Sequence, residues 1–199
     1  YGLILNVNGE RFVDEGEDAR AHTYAKFGRK IFKQPDHRGY IILDASKQEL
    51  ARATGPTEPY SAETVSKLLA QLDINEETAR RTIEAYNDAC DPGEFCPDSL
   101  DGNSATDIDP PKSNWATPLS ESPFYAYPVT GGITFGFGGV HITTSAEVLD
   151  DRGSVIPGFY AAGNATGDLF YDNYPGGTGL MNAAVYGKIA AEQATEYVS

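Results

Sequence analysis

Two side chains and one backbone pattern in this chain are of types that carry chemistry. From Tyr171 the sequence reads Tyr-Asp-Asn-Tyr-Pro-Gly-Gly-Thr-Gly-Leu, so that Gly176, Gly177, Thr178 and Gly179 lead into a helix expected from Leu180 and rich in small residues from Asn182 to Gln193. A helix start stripped of side chains presents bare N–H groups which, together with the helix dipole, favour a negative charge. Beside it Tyr174 offers a phenol able to hydrogen-bond a carbonyl or a carboxylate. Tyr171 and Asn173 are close enough in sequence to line the same pocket. Near the other end, Arg20 follows the acidic stretch Asp14 to Asp18. A guanidinium there can clamp a carboxylate through two parallel hydrogen bonds. Arginine is effectively always protonated, so proton transfer through Arg20 needs a relay partner such as Glu15 or Glu17. His22 and Tyr24 read as packing residues of the same helix.

Composition bounds the partners. The 199 residues are 40% hydrophobic, enough for one core or two modest ones. The net charge of -14 and a pI near 4.5 argue against nucleic acid and anionic membrane surfaces. Residues 1–40 depart from this, with seven Lys/Arg against six Asp/Glu. An anionic substrate would be drawn to that segment if it faces the active site; a solvated mixed-charge surface is the alternative. No apolar run approaches the roughly 18 residues of a membrane span, and no secretory signal is present, which suits a cytoplasmic protein. Cys90 and Cys96 are too few for a zinc site and read as free thiols, with a loop-closing disulfide as the alternative.

The elements that must position these groups follow from pattern. Leu3 to Val7 and Glu10 to Val13 flank Asn8-Gly9, which predicts a hairpin with a type I′ turn. Asp18 to Lys33 reads as helix, weakened by Gly28, and Tyr40 to Leu43 as a buried strand. After the break at Gly55 to Pro59, Ser61 is expected to cap a helix carrying Val65, Leu68, Leu69 and Leu72 on one face. Asn75 should cap a second, with Ala79, Ile83 and Tyr86 inward. Residues 91–123 hold six of the twelve prolines and predict a long irregular loop of functional character. Val148 to Ile156 reads as a hairpin, and Phe159 to Ala162 as a strand entering Gly163. Five glycines between 131 and 139 suit a chain passing close to a flat ring or bending between domains.

Gly-Phe-Tyr-Ala-Ala-Gly-Asn-Ala-Thr-Gly (158–167), the Tyr171 to Leu180 segment and Gly-Ile-Thr-Phe-Gly-Phe-Gly-Gly (132–139) together resemble the fumarate reductase and succinate dehydrogenase flavoprotein superfamily. Within it, the likeness is greatest to the tricarballylate dehydrogenase branch. The resemblance implies an α+β fold: a capping (lid) domain over residues 1–134, then the C-terminal strand-turn-helix of an α/β FAD-binding domain over 135–199. The family's GxGxxG turn occurs nowhere in the chain, which opens in mid-strand at Tyr1-Gly-Leu-Ile-Leu. The expectation is therefore the C-terminal part of a longer flavoenzyme, binding FAD weakly by itself.

The resemblance also assigns roles. FAD would be held by Gly163, Asn164, Gly176, Gly177, Thr178, Gly179 and Leu180, the last group facing the flavin edge that becomes negative on reduction. Arg11-Phe-Val-Asp-Glu15 resembles the segment that precedes the proton-delivering arginine, one residue further from Arg20 than in fumarate reductases. Thr134 and Phe135 stand where those enzymes carry a His pair, and Tyr174 where they carry a carboxylate-binding arginine. Substrate contacts would come from Thr134, Phe135, Gly138, Gly139, Tyr171 and Asn173. Asn164 replaces a glutamate that contacts the ribityl chain. The implied function is oxidation or reduction of a carbon–carbon bond beside a carboxylate, in a small organic acid, with an unidentified electron acceptor and no metal. The Tyr-Pro-Gly setting of Tyr174 also resembles 3-ketosteroid delta-1 dehydrogenases, where such a tyrosine polarises a ketone. A non-catalytic lid that binds a ligand or partner without flavin is the alternative from another class.

Overall fold

A computed structural model of the chain describes residues 1–51, 58–91, 93–133 and 136–199. It is a mixed helix and sheet structure in two compact units, one of residues 1–23 and 27–131, the other of residues 132–199 with 24–26.

The first unit is built on a four-stranded antiparallel sheet. Its strands are β1 (Leu3–Asn6), β2 (Arg38–Leu43), β3 (Tyr60–Ala62) and β6 (Phe124–Thr130), ordered β1-β2-β6-β3. Side chains alternate between faces along a strand. Leu3 and Leu5 of β1 therefore join one buried cluster with Ile42, Leu68, Leu69, Ile83 and Tyr86, while Ile4 joins another with Val13 and Ile31. Helix α1 (Arg20–Phe32) supplies Ile31 to the second cluster. Helices α3 (Val65–Leu69) and α4 (Glu76–Ala89) supply the first, with α2 (Ala45–Gln48) a single turn after β2. The α4 pattern reads as expected: Asn75 Oδ1 accepts from Thr78 N–H at 3.0 Å, and Ala79, Ile83 and Tyr86 are buried.

Two local expectations are corrected. Ser61 lies in strand β3, and the cap of α3 is Thr64, whose hydroxyl accepts from Lys67 N–H. The β1 turn is not type I′. Gly9 alone takes a positive φ, of 84°, and the second arm is a single bridge, Leu5 with Arg11, on the edge of β1 away from β2. Asn6 organises this turn, its Oδ1 accepting from the N–H groups of Asn8 and Glu10. Gly9 is required twice: by its φ, and because a Cβ would lie 2.4 Å from Ala79 N.

The proline-rich stretch is irregular apart from the short pair β4 (Cys90–Asp91) and β5 (Ser104–Ala105). Side chains take the place of a backbone ladder there. Asp101 accepts from the N–H groups of Asn103 and Trp115, Asn103 Oδ1 from Gly93 N–H, and Asn114 Oδ1 from Gly102 N–H.

The second unit contains the hairpin β7 (Glu147–Leu149) and β8 (Val155–Tyr160), a 3₁₀ turn at Gly163–Ala165 and helix α5 (Thr178–Tyr197). The hairpin forms where Val148 to Ile156 predicts it. Asp150 repeats the device of Asn6, accepting from Arg152 N–H and Ser154 N–H around Gly153, whose φ is 81°. Tyr160 donates to the Gln193 carbonyl at 3.3 Å, tying β8 to α5. No helix among the described residues is long and apolar enough to cross a membrane.

Candidate active site

The start of α5 is the most specialised backbone in the second unit. Gly177 caps the helix in the left-handed region, φ 89°, and a side chain there would be strained although space is open. The first helical bond runs from Met181 N–H to the Gly177 carbonyl. Among the described residues the Gly177 and Leu180 amides make no hydrogen bond, as an anion site requires. Thr178 is turned inward on the loop, its N–H and hydroxyl both donating to the Pro175 carbonyl. Gly176 completes the exposed turn.

One part of the expectation fails here. Gly179 does not keep the helix start clear of side chains, because Tyr174 folds back over it. The Gly179 N–H donates to Tyr174 Oη at 3.0 Å, and a Cβ on Gly179 would sit 2.9 Å from that oxygen. Glycine at 179 makes room for the phenol. The ring is braced edge-on by Phe170, with centroids 4.9 Å apart.

A second pair of segments is brought together by glycines. Val140 bridges Thr166 in parallel, its N–H donating to the Ala165 carbonyl and its carbonyl accepting from Gly167 N–H. A Cβ on Gly139 would fall 2.4 Å from the Ala165 oxygen, so only glycine allows the approach. Gly163, at φ 66°, packs on α5, where its absent Cβ would meet Ala183 at 3.3 Å. Its carbonyl accepts from Thr166 Oγ1 and from Asn182 Nδ2, leaving the buried Asn182 Oδ1 without a partner. Asn164 follows on the exposed side of the turn. The Val140–Thr166 bridge frames a cavity of about 420 Å³ lined by Phe137, Gly138, Gly139, His141, Gly167, Asp168, Phe170 and Tyr171.

The sequence of the whole segment decides the family. A profile described as FAD binding domain matches residues 2–180. The chain belongs to that FAD-binding family. It is 29% identical to "Fumarate reductase (cytochrome)" of Shewanella frigidimarina over 98% of this chain and 32% of that protein. It is also 29% identical to "NADH:acrylate oxidoreductase" of Vibrio harveyi, over 98% of this chain and 19% of that protein. The open conformation of a flavocytochrome c3 fumarate reductase superposes with a TM-score of 0.66 at 27% identity, covering 98% of this chain and 32% of that one. The chain thus spans about a third or less of the length of these relatives.

Within the chain the expected site residues fall into groups. Gly138, Gly139 and Tyr171 line one cavity, Gly163 and Asn164 form the turn against α5, and Tyr174 to Leu180 form its start. Asn173 is half-buried immediately before Tyr174. Thr134 and Phe135 lie outside the described residues. Arg20 is in the first unit, exposed at the first residue of α1, with no side-chain cap beneath it.

Sequence reasoning missed two sets of residues. The first is a buried ionic cluster below the segment that leads to Arg20. Arg11 Nη2 and Glu15 Oε2 lie 2.5 Å apart with both side chains almost wholly buried. Glu15 also accepts from Ile4 N–H, and Arg11 from its other arm donates to the Pro110 carbonyl. Lys112, fully buried close by, donates to the Gly2 carbonyl at 2.7 Å, and burial pulls its ammonium down to about 8. The i, i+4 spacing of Arg11 and Glu15 was the available signal. The second set is His141 and Asp168, whose Nδ1 and Oδ2 are in hydrogen-bond contact at the cavity wall. Nothing in their spacing joins them. Among the described residues no group of His, Cys, Asp or Glu is arranged to hold a metal.

Proposed function

We propose that this chain is part of an FAD-dependent oxidoreductase acting on a carbon–carbon bond beside a carboxylate. The observation that carries the reading is the start of α5, a left-handed Gly177 with unused amides at 177 and 180, in a chain of the FAD-binding family. FAD, when bound, supplies hydride transfer. The chain's own residues then have three tasks. The Gly177 and Leu180 amides and the α5 dipole stabilise negative charge on the cofactor, with Gly163 and Asn164 beside its polar chain. Tyr174 donates a hydrogen bond to the substrate's carboxylate, its phenol oriented and strengthened as a donor by the Gly179 amide behind it. Arg20 holds a second carboxylate and delivers or accepts the proton.

Residues 1–134 serve in this reading as the capping domain and 135–199 as the C-terminal segment of the FAD domain. Phe159 of β8 and Leu180, Met181 and Val185 of α5 are exposed, which suits a strand and helix that pack against further sheet in the complete enzyme. The relatives, at least three times longer, agree with that. The substrate is a small organic acid, and the Asn-Tyr-Pro-Gly-Gly wording favours a tricarballylate-like acid over simple fumarate.

The test uses the complete enzyme that contains this chain. It should purify yellow, reduce fumarate or oxidise tricarballylate with a dye as electron partner, and lose flavin when cut back to these 199 residues. A colourless protein would remove the oxidoreductase reading in favour of a ligand-binding lid. Turnover confined to 3-ketosteroids would transfer Tyr174 to ketone polarisation, the weaker reading.

A further inference from the structure

Asp168 is one of five non-glycine residues described with a positive φ, at 68°. Asp enters that region more readily than most non-glycine residues, at a small cost that its surroundings must hold. What holds it is His141: Asp168 Oδ2 lies against His141 Nδ1. The two segments are set side by side by the Val140–Thr166 bridge. Both residues line the cavity, whose other walls are Phe137, Phe170 and Tyr171 and glycine backbone.

The chemistry of the pair follows from its geometry. An ionised carboxylate only accepts hydrogen bonds, so in the neutral imidazole Nδ1 of His141 carries the proton and Nε2 keeps a lone pair, an acceptor at the cavity wall. Among the described residues no lysine or arginine lines the cavity, while Asp168 adds a negative charge. A carboxylate is disfavoured there by like charge. A neutral hydroxyl on a ring-sized apolar body is favoured, because the aromatic walls take the body and Nε2 takes the O–H.

We propose that the cavity is a substrate subsite for a neutral, hydroxyl-bearing ring, with His141 as the binding residue and Asp168 as the residue that positions it. This rests on the oxidoreductase reading only for the name of the substrate. The subsite excludes the acid's carboxylate and so directs it to other groups. Asp168 is strained because the position must aim a carboxylate at Nδ1; glycine would satisfy the backbone without it.

The complete enzyme is titrated with 4-hydroxyphenylacetate and phenylacetate, acids that differ by one hydroxyl, using calorimetry without turnover. The hydroxylated acid should bind about 3- to 10-fold tighter. His141→Phe and Asp168→Asn should each abolish that preference. Asp168→Gly should abolish it too while leaving thermal stability equal or higher, since glycine accepts φ 68° without strain. Nitrogen-15 spectra should show the Nδ1–H tautomer of neutral His141 in the parent and a mixture of tautomers in Asp168→Gly. Equal affinity for the two acids, or a preference that survives in Asp168→Gly, overturns the proposal, as does an unchanged tautomer in Asp168→Gly. An enzyme that keeps the hydroxyl preference but turns over no carbon–carbon substrate would refute the functional reading and leave this subsite standing.

Discussion

The Tyr174 phenol oxygen accepts a hydrogen bond from the Gly179 amide at 3.0 Å, across the first turn of α5. Tyr174 is thereby part of the start of α5, besides the substrate role proposed for it. Removing its hydroxyl has two consequences that can be measured apart. Tyr174→Phe leaves the Gly179 amide without its acceptor, and stability should fall by about 1 kcal/mol, read as a lower denaturant midpoint. It also removes one neutral hydrogen bond to substrate, so productive binding should weaken by about 1–3 kcal/mol, roughly 5- to 150-fold. Unaltered kinetic constants with tricarballylate and fumarate would take Tyr174 out of the site.

Arg20 is exposed at the first residue of α1, and its role in the fold is slight. Arg20→Lys in the complete enzyme should therefore leave the melting temperature unchanged and lower turnover by about three or more powers of ten, since lysine lacks the planar fork. Near-normal turnover would show that the proton and the carboxylate are handled elsewhere.

The Arg11–Glu15 pair is different in kind, buried on both sides. Glu15→Ala would strand a guanidinium in the interior and should destabilise the first unit by about 3–5 kcal/mol. The double replacement Arg11→Met, Glu15→Leu should recover most of that loss. A single variant as stable as the parent would mean that water reaches Arg11.

Lys112 makes stability depend on pH in the alkaline range. Its ammonium is lowered by burial from 10.5 to about 8, so between those values the unfolded chain binds the proton and the folded chain does not. Stability therefore gains from this lysine as pH rises from about 8 towards 10.5. Burial pushes the Cys90 thiol and the Tyr86 phenol up, and both pull the other way above about pH 9. The comparison that isolates Lys112 is with Lys112→Met. Its advantage over the parent should be largest near pH 7 and shrink by roughly 1–3 kcal/mol by pH 10. A constant difference would show that Lys112 stays charged when folded.

What the sequence reveals here depends on range. Asn75 and the buried Ala79, Ile83 and Tyr86 are legible because cap and periodicity lie within one helix. The Asp150 turn is legible because its acceptor and its glycine are three residues apart. Ser61 misled because two hydroxyl residues precede the same apolar run, and the choice of Thr64 is made by β6, which recruits Tyr60–Ala62 as a strand. The glycines at the start of α5 are legible in sequence, but Tyr174 enters it by folding over the turn, which no local pattern encodes. His141 and Asp168 meet only through the parallel bridge beside them, and Lys112 sits in a proline-rich loop that gives no sign of a buried charge.

The two Asx-organised turns differ in one respect that bears on engineering. At Gly9 a Cβ would collide with the α4 backbone, whereas at Gly153 nothing lies within 4 Å. The first turn is therefore a keystone and the second a handle. A fluorophore on Arg152, or an affinity epitope spliced between Asp151 and Gly153, would sit at an exposed tip whose hydrogen bonds come from Asp150 alone. That tip is the place on this chain to attach a reporter.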